Sequence, residues 1–341
     1  MPISGVAYWL QSNAAAGISQ EVAIAQLRSI KRSTLCSYQK HWRGFGLWCS
    51  EKQINYGFIT VDVICKYLLF LFNSKTPTGI DYSSEALNKI RSSLSFFLQF
   101  DIPKLGFKVP VVRIFSYFHQ CRPIVSRYRT TWNVGLVLKF LAQLHPKEAL
   151  TLKQLTLKTV TLVALTSSDR AQTLEALRVD KVHISSEGVV FIVDSILKHT
   201  RPGSPVTKVV CVEWDAPELN VADYVLYYMK RTLKYRLKAW NKDKKDIKQL
   251  FLSHRTGKPV TRASISRWIR EIMYLSGVDT STYAPHSTRG ASISEATRRG
   301  ASPAKIMAQG NWTNLGTYQR FYHRERDDTP IGQLILQAYN S

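Results

Sequence analysis

Six residues in the second half of the chain have the types and order needed to cleave a phosphodiester without a metal. Arg170 closes the helical run of TSSDRAQTLEAL, and Lys198 follows 28 residues later. His286 and Arg289 form an H-x-x-R pair behind Pro285. That spacing puts both side chains on one face of a starting helix. Trp312 offers an indole N–H, a donor only. Tyr322 lies near the end of the run GNWTNLGTYQRFYHR. The transition state of such a cleavage spreads negative charge over the non-bridging phosphate oxygens. Arginine suits that charge because its planar fork donates two bonds at once. A hydroxyl nucleophile must stand in line with the leaving oxygen, and a proton donor must reach that oxygen because an alkoxide leaves poorly.

Taken singly, each residue has an ordinary explanation. Lys198 suits a solvated hairpin, and an indole mainly buries area. Arg170 could pair with Glu175 or meet a helix C-terminus, and Tyr322 is one of 16 tyrosines. Order, spacing and the setting of the lysine together carry the reading.

The elements that must position these residues are mostly helices. Tyr38, Trp42, Phe45 and Trp48 recur at three- and four-residue spacing and predict a helix capped by Ser33 or Thr34. Asp62 to Phe72 predicts a second helix, and Leu87, Ile90, Leu94 and Phe97 a third, capped by Ser83 or Ser84. CRPIVSRYRTTW, from Cys121 to Trp132, reads as a basic linker with few core residues. Helices then follow over Asn133 to Leu144 and Leu152 to Thr166. Two β-branched runs, Val189 to Ile196 and Thr207 to Val212, predict a hairpin with Lys198 at its tip. Further helices are predicted over Ala222 to Lys238, Arg262 to Leu275 and Arg289 to Arg299, the last stopped by Gly300. Ser302-Pro303 opens a short helix that ends at Gly310.

Charge narrows the partner. Lys and Arg number 47 against 24 Asp and Glu, a net +23, and both halves of the chain carry the excess. Such a field attracts polyanions. Candidate DNA contacts are Lys40, Arg43, Lys89 and Arg91 on the first helices, Arg127 and Arg129 in the linker, and Arg201, Arg262 and Arg267 beyond it. The acid-poor chain offers no convincing carboxylate set for Mg²⁺, so neither a metal nor another cofactor is expected. The longest apolar run, Tyr67 to Phe72, is far too short to span a bilayer, and no membrane partner is expected. The opening MPISGVAYWLQS lacks the charged start of a signal peptide. Five cysteines without a metal-ligand spacing read as reduced, mostly buried thiols of an intracellular protein.

The ordered set Arg, Lys, His-x-x-Arg, Trp, Tyr resembles the tyrosine recombinases, the group that includes phage integrases and Xer proteins. The wording of LTSSDRAQTL, ILKHTRPG, FLSHRTGKPVTRASISRWI, APHSTRGASIS and NWTNLGTYQRFYHR is similar to recombinases of eukaryotic DIRS-like, Ngaro and Crypton mobile elements. STLCSYQKHWRGFGLWC and YLLFLF resemble the helical DNA-clamp domain that precedes the catalytic domain there.

The resemblance implies roles. Arg170 and Arg289 would hold the scissile phosphate, and Lys198 would protonate the leaving 5′ oxygen. His286 would assist proton transfer, and Trp312 would pack and donate beside it. Tyr322 would attack and carry a 3′-phosphotyrosine. Two departures stand out. The family usually has an acid three residues after the first arginine, where this chain has Thr173; either Gln172 or Glu175 takes over that role, or nothing does. The tyrosine usually falls nine residues after the tryptophan position, which is Phe321 here, so Tyr322 implies a one-residue insertion and Tyr318 remains a second candidate.

The expected fold is therefore mainly α with a small antiparallel sheet, with a helical DNA-binding domain over 1–125 and a catalytic domain over 126–341 closing around the duplex. The expected partners are double-stranded DNA and further copies of the chain, as a tetramer on two duplexes, in the nucleus if the element is eukaryotic. The alternatives are a type IB topoisomerase-like enzyme, or a non-catalytic DNA-binding protein that kept the fold.

Overall fold

The computed structural model describes residues 3–55, 58–123, 128, 130–185, 188–197, 200, 203, 206–244, 246–310 and 316. The chain divides into two units, Met1–Ser126 and Arg127–Ser341. Each has its own apolar core. Among the described residues the chain is mostly helical with one three-stranded antiparallel sheet.

In the first unit the helices are α1 (Gly5–Ala15), α2 (Gln20–Arg28), α3 (Arg32–Glu51), α4 (Val61–Phe72), α5 (Ser84–Phe97) and α6 (Val109–Cys121). Hydroxyl side chains start four of them: Ser4, Ser19, Thr60 and Ser83 each accept a backbone N–H of the first turn. Such a cap contributes about 1 kcal/mol. At α3 the expected cap is corrected. Ser33 and Thr34 lie inside the helix, and Lys31, which precedes it, does not cap it with its side chain. The stripe on α3 packs as its period requires. Trp42 meets Phe97 of α5 edge-on at 5.2 Å, and its indole donates to the Ile3 carbonyl at 3.0 Å.

The second unit is built around α8 (Leu152–Ser167), which follows α7 (Val134–Gln143). A reciprocal capping box between Thr151 and Gln154 starts α8. Every position from Leu155 to Leu165 is buried, because α8 is covered on several sides by elements that follow it. The elements after it are α9 (Ala171–Glu175), β1 (Val182–Ser185), β2 (Gly188–Val193), β3 (Thr207–Cys211), α10 (Val221–Asp243), α11 (Arg262–Leu275), α12 (Ser287–Arg298) and α13 (Pro303–Gly310), of which α9, β3, α10, α11 and α12 pack on α8. Even Lys158 is fully buried there. Its ammonium donates to the Leu144 carbonyl at 2.7 Å and lies 3.9 Å from the Tyr224 ring centroid, and burial lowers its pKa to about 8.

The sheet order is β1-β2-β3, with Phe191 opposite both Val182 and Val209. Gly188 opens β2 at φ +114°, where a Cβ would collide with the Cys211 carbonyl. β2 and β3 are the expected hairpin strands, shortened at their far ends; β1 was not expected.

Two expectations are corrected. Tyr128, Thr131 and Trp132 are buried in the second unit, so the end of the supposed linker is core. Of the five cysteines only Cys49 and Cys211 are buried; Cys65 is half-buried, and Cys36 and Cys121 are exposed. Burial pushes the Cys49 thiol up to about 11 and that of Cys211 to about 12. No helix among the described residues is long and apolar enough to cross a membrane.

Candidate active site

The site is organised by the turn that ends α8. Ser168 takes a left-handed conformation, φ 54° and ψ 27°. A non-glycine residue held there costs on the order of 1 kcal/mol, so surrounding structure must hold it. Arg289 of α12 does so from one side, donating from Nη1 to the Ser168 carbonyl at 2.9 Å. Its Nη2 donates to the Gly310 carbonyl at the end of α13 at 2.6 Å. Gln309 of α13 donates to the Ser167 carbonyl at 2.8 Å. Arg289 is only 5% exposed. Arg170 does not end a helix, as the sequence suggested; it follows this break and is the extended residue that precedes α9, half-buried.

Both arginines act on a residue that sequence reasoning missed. Asp169 is 8% exposed. Burial is the largest influence on its carboxyl and lifts it to about 6. The charge of Arg289, a hydrogen bond from Thr173, the charge of Arg170 and a hydrogen bond from Ser167 all pull the other way. Its own N–H donates to Ser167 Oγ at 3.2 Å. Asp169 is thus an acid on which both arginines act, and buried Thr173 is its hydrogen-bond partner. The available signal was the acid itself, adjacent to Arg170 in a chain with few acids.

His286 and Arg289 enter the site from the start of α12. His286 is the exposed residue preceding that helix. The loop before it is fastened by Tyr128, Thr130 and Trp132, at the end of the expected linker. Trp132 donates its indole N–H to Ser287 Oγ at 2.9 Å. The Tyr128 hydroxyl accepts the Ala284 N–H at 3.1 Å, and the hydroxyls of Thr130 and Tyr283 are 2.9 Å apart. The Tyr128 ring stacks on Tyr283 at 5.5 Å and stands 5.7 Å from the His286 ring. Two aromatics four residues apart in a supposed linker were the missed signal.

Lys198, Trp312 and Tyr322 lie outside the described residues, as do Tyr318, Arg127, Arg129 and Arg201. The other candidate DNA contacts divide. Lys40 and Arg43 on α3 and Lys89 on α5 are exposed. Lys40 and Lys89 both lie close enough to His41 to lower its pKa, after burial, which acts most strongly; His41 Nδ1 and Ser93 Oγ are 2.7 Å apart. These residues form one basic patch across two helices. Arg91 instead reaches inward. Its Nη1 donates to the Gly106 carbonyl at 3.2 Å, and its guanidinium sits 5.5 Å from the Phe115 ring centroid. Arg262 and Arg267 are exposed on α11. Among the described residues, no three His, Cys, Asp or Glu side chains are grouped so as to hold a metal ion.

The fold and the paired arginines define a class. The sequence pattern of the phage integrase family matches residues 139–327, more than half of the chain, and the chain belongs to that family of tyrosine recombinases. Its fold is similar to that of the Tn1549 transposon integrase in complex with circular intermediate DNA. The likeness covers 98% of this chain and 100% of that one, at 15% identity and a TM-score of 0.59. It is also similar to the XerH recombinase in a post-cleavage complex with a palindromic difH substrate, over 94% of this chain and 84% of that one, at 10% identity and a TM-score of 0.58. A lambda integrase dimer bound to a COC′ core site matches over 90% and 92%, at 14% identity and a TM-score of 0.52. At these identities the likeness is one of fold. No curated protein matches the chain in sequence.

Proposed function

We propose that the chain is a site-specific recombinase or transposase of a mobile element, and that it cuts and rejoins double-stranded DNA through a phosphotyrosine. Tyr322 Oη attacks the scissile phosphorus and forms a P–O bond as the bond to the 5′ oxygen breaks. Lys198 gives that oxygen a proton, and His286 assists removal of the phenol proton. Arg170 and Arg289 hold the non-bridging oxygens, with Trp312 packed beside them. The products are a 3′-phosphotyrosine and a free 5′-hydroxyl. Attack by the 5′-hydroxyl of a partner strand reverses the step, so the ester energy is conserved and no nucleotide is consumed. Exchange between two duplexes needs four cleavages, hence four protomers; for a eukaryotic element the work is nuclear.

The observation that carries this reading is the buried turn where Arg289 of α12 braces Ser168, two residues from Arg170. The two arginines are 119 residues apart in the chain, yet the charges of both act on Asp169, and a metal-free phosphate site requires cations brought to one place.

The test is to incubate the protein with a nicked suicide duplex in EDTA and look for a covalent adduct that survives denaturant. An adduct with strand exchange supports the reading. Relaxation of supercoils without exchange points to the topoisomerase-like alternative. No adduct on any tyrosine sinks the mechanism.

A further inference from the structure

We propose that Asp169 is a positioning residue, whose ionised carboxylate orients and electrostatically balances the arginine pair that grips the phosphate. This rests on the recombinase reading and adds to it a residue that the family's pattern does not assign. A buried acid is costly, and such a group is retained only where its partners compensate or a function needs it. Here every partner is part of the same turn or meets it. Thr173 and Ser167 donate to the carboxylate. Arg289 faces it from α12 and Arg170 adjoins it, and the charges of both act on it. Arg289 is further fixed through the carbonyls of Ser168 and Gly310.

The geometry also accounts for Thr173. A threonine at that position can donate to a carboxylate, whereas an acid there would repel Asp169. The carboxylate has moved to the other side of Arg170, and Thr173 has become its hydroxyl support. In this arrangement the pair carries two positive charges and one negative charge before DNA arrives. That balance lowers the mutual repulsion of the two guanidinium groups and keeps both forks in fixed orientations. Protonation of Asp169 removes the balance without removing a single heavy atom.

The test compares wild type with Asp169→Asn in single-turnover cleavage of a suicide duplex from pH 5 to 8, with DNA affinity and thermal melting measured alongside. Asp169→Asn should stay folded and bind DNA as wild type does, yet cleave at least about tenfold slower at pH 8. The wild-type rate should rise through an acid limb near pH 6 that Asp169→Asn lacks. A second variant, Asp169→Asn with Thr173→Asp, returns the carboxylate to the other side of Arg170 and should recover rate. Three results overturn the proposal: wild-type rate and profile in Asp169→Asn, a slower variant that keeps the acid limb, or a folded, DNA-binding double variant that stays slow. A wild-type chain that forms no adduct fails differently, since it removes the recombinase reading itself.

Discussion

Arg289 Nη1 and the carbonyl oxygen of Ser168 are joined by a 2.9 Å hydrogen bond across 121 residues of sequence. The donor is a buried cation and the acceptor belongs to a left-handed residue. The arginine therefore holds in place the turn from which Arg170 projects, and the proposed mechanism gives it a second job, presenting charge to a phosphate.

Those two jobs separate the arginine variants. Arg289→Ala strips donors from the Ser168 and Gly310 carbonyls and leaves Asp169 without its strongest opposing charge. It should lose roughly 3–5 kcal/mol of stability as well as all cleavage. Arg170→Ala removes a half-buried side chain and should melt near wild type while losing about 3 kcal/mol of transition-state stabilisation, a hundredfold or more in rate. Thermal melts and adduct assays run side by side will separate the two. A folded Arg170→Ala that cleaves normally breaks the constellation.

Asp169 should make the fold pH-dependent. Its ordinary pKa is 3.8 and its folded value is about 6. Below 3.8 it is protonated in both states, and the folded state has its full advantage. As pH rises through 6 the folded chain must ionise a buried acid, and that advantage is lost. Asp169→Asn should therefore be more stable than wild type at pH 8 by up to about 3 kcal/mol. The difference should close below pH 4. Urea unfolding at the two pH values checks this; an equal difference at both contradicts it.

For the nucleophile, Tyr322→Phe should bind DNA and never form the adduct, whereas Tyr318→Phe should still form it. A free phenol has a pKa near 10 and is a poor nucleophile at neutral pH. Alignment and nearby cations must therefore supply its reactivity. Peptide mapping of a trapped adduct decides the matter. Phosphate on Tyr318 would reassign the residue and leave the chemistry standing.

Binding to non-specific DNA should fall steeply with salt. Contact with about six phosphates gives a log–log slope near −5. Replacing both Lys40 and Lys89 by alanine should make it shallower by roughly 2, whereas Arg91→Ala should leave the slope unchanged and cost stability instead. Fluorescence anisotropy across a salt series measures both. A wild-type slope shallower than about −2 would argue against an extensive basic interface.

Legibility of the sequence followed the length and regularity of each pattern. α11 spans Arg262–Leu275 as its period predicts, and Ser83 caps α5 as its chemistry predicts. α6 was not predicted: VPVVRIF is rich in β-branched residues, which weakens its helical signal, and Pro110 sits in the first helical turn. β1 was missed because an edge strand of four residues with exposed His183 and Ile184 has no buried alternation to detect.

At the candidate site, order and spacing single out the H-x-x-R pair and Arg170 as candidates. Neither singles out their supports. Asp169 was passed over because the family pattern looks for an acid after the arginine, whereas the left-handed turn at Ser168 brings in the acid before it. Tyr128 and Trp132 were hidden by their arginine-rich neighbours. Burial is a property of the folded contacts, and local composition cannot report it.

The two buried thiols have a practical consequence. Cys49 lies in the core of the first unit and Cys211 in that of the second, each with its thiolate suppressed by burial. Alkylation needs the thiolate and access to it. Exposed Cys36 and Cys121 should label at once, and Cys65 soon after. The last two labels then become a pair of native clocks, one for the opening of each half. Run with and without a DNA duplex, they reveal which half the duplex locks shut, with no engineered probe in either.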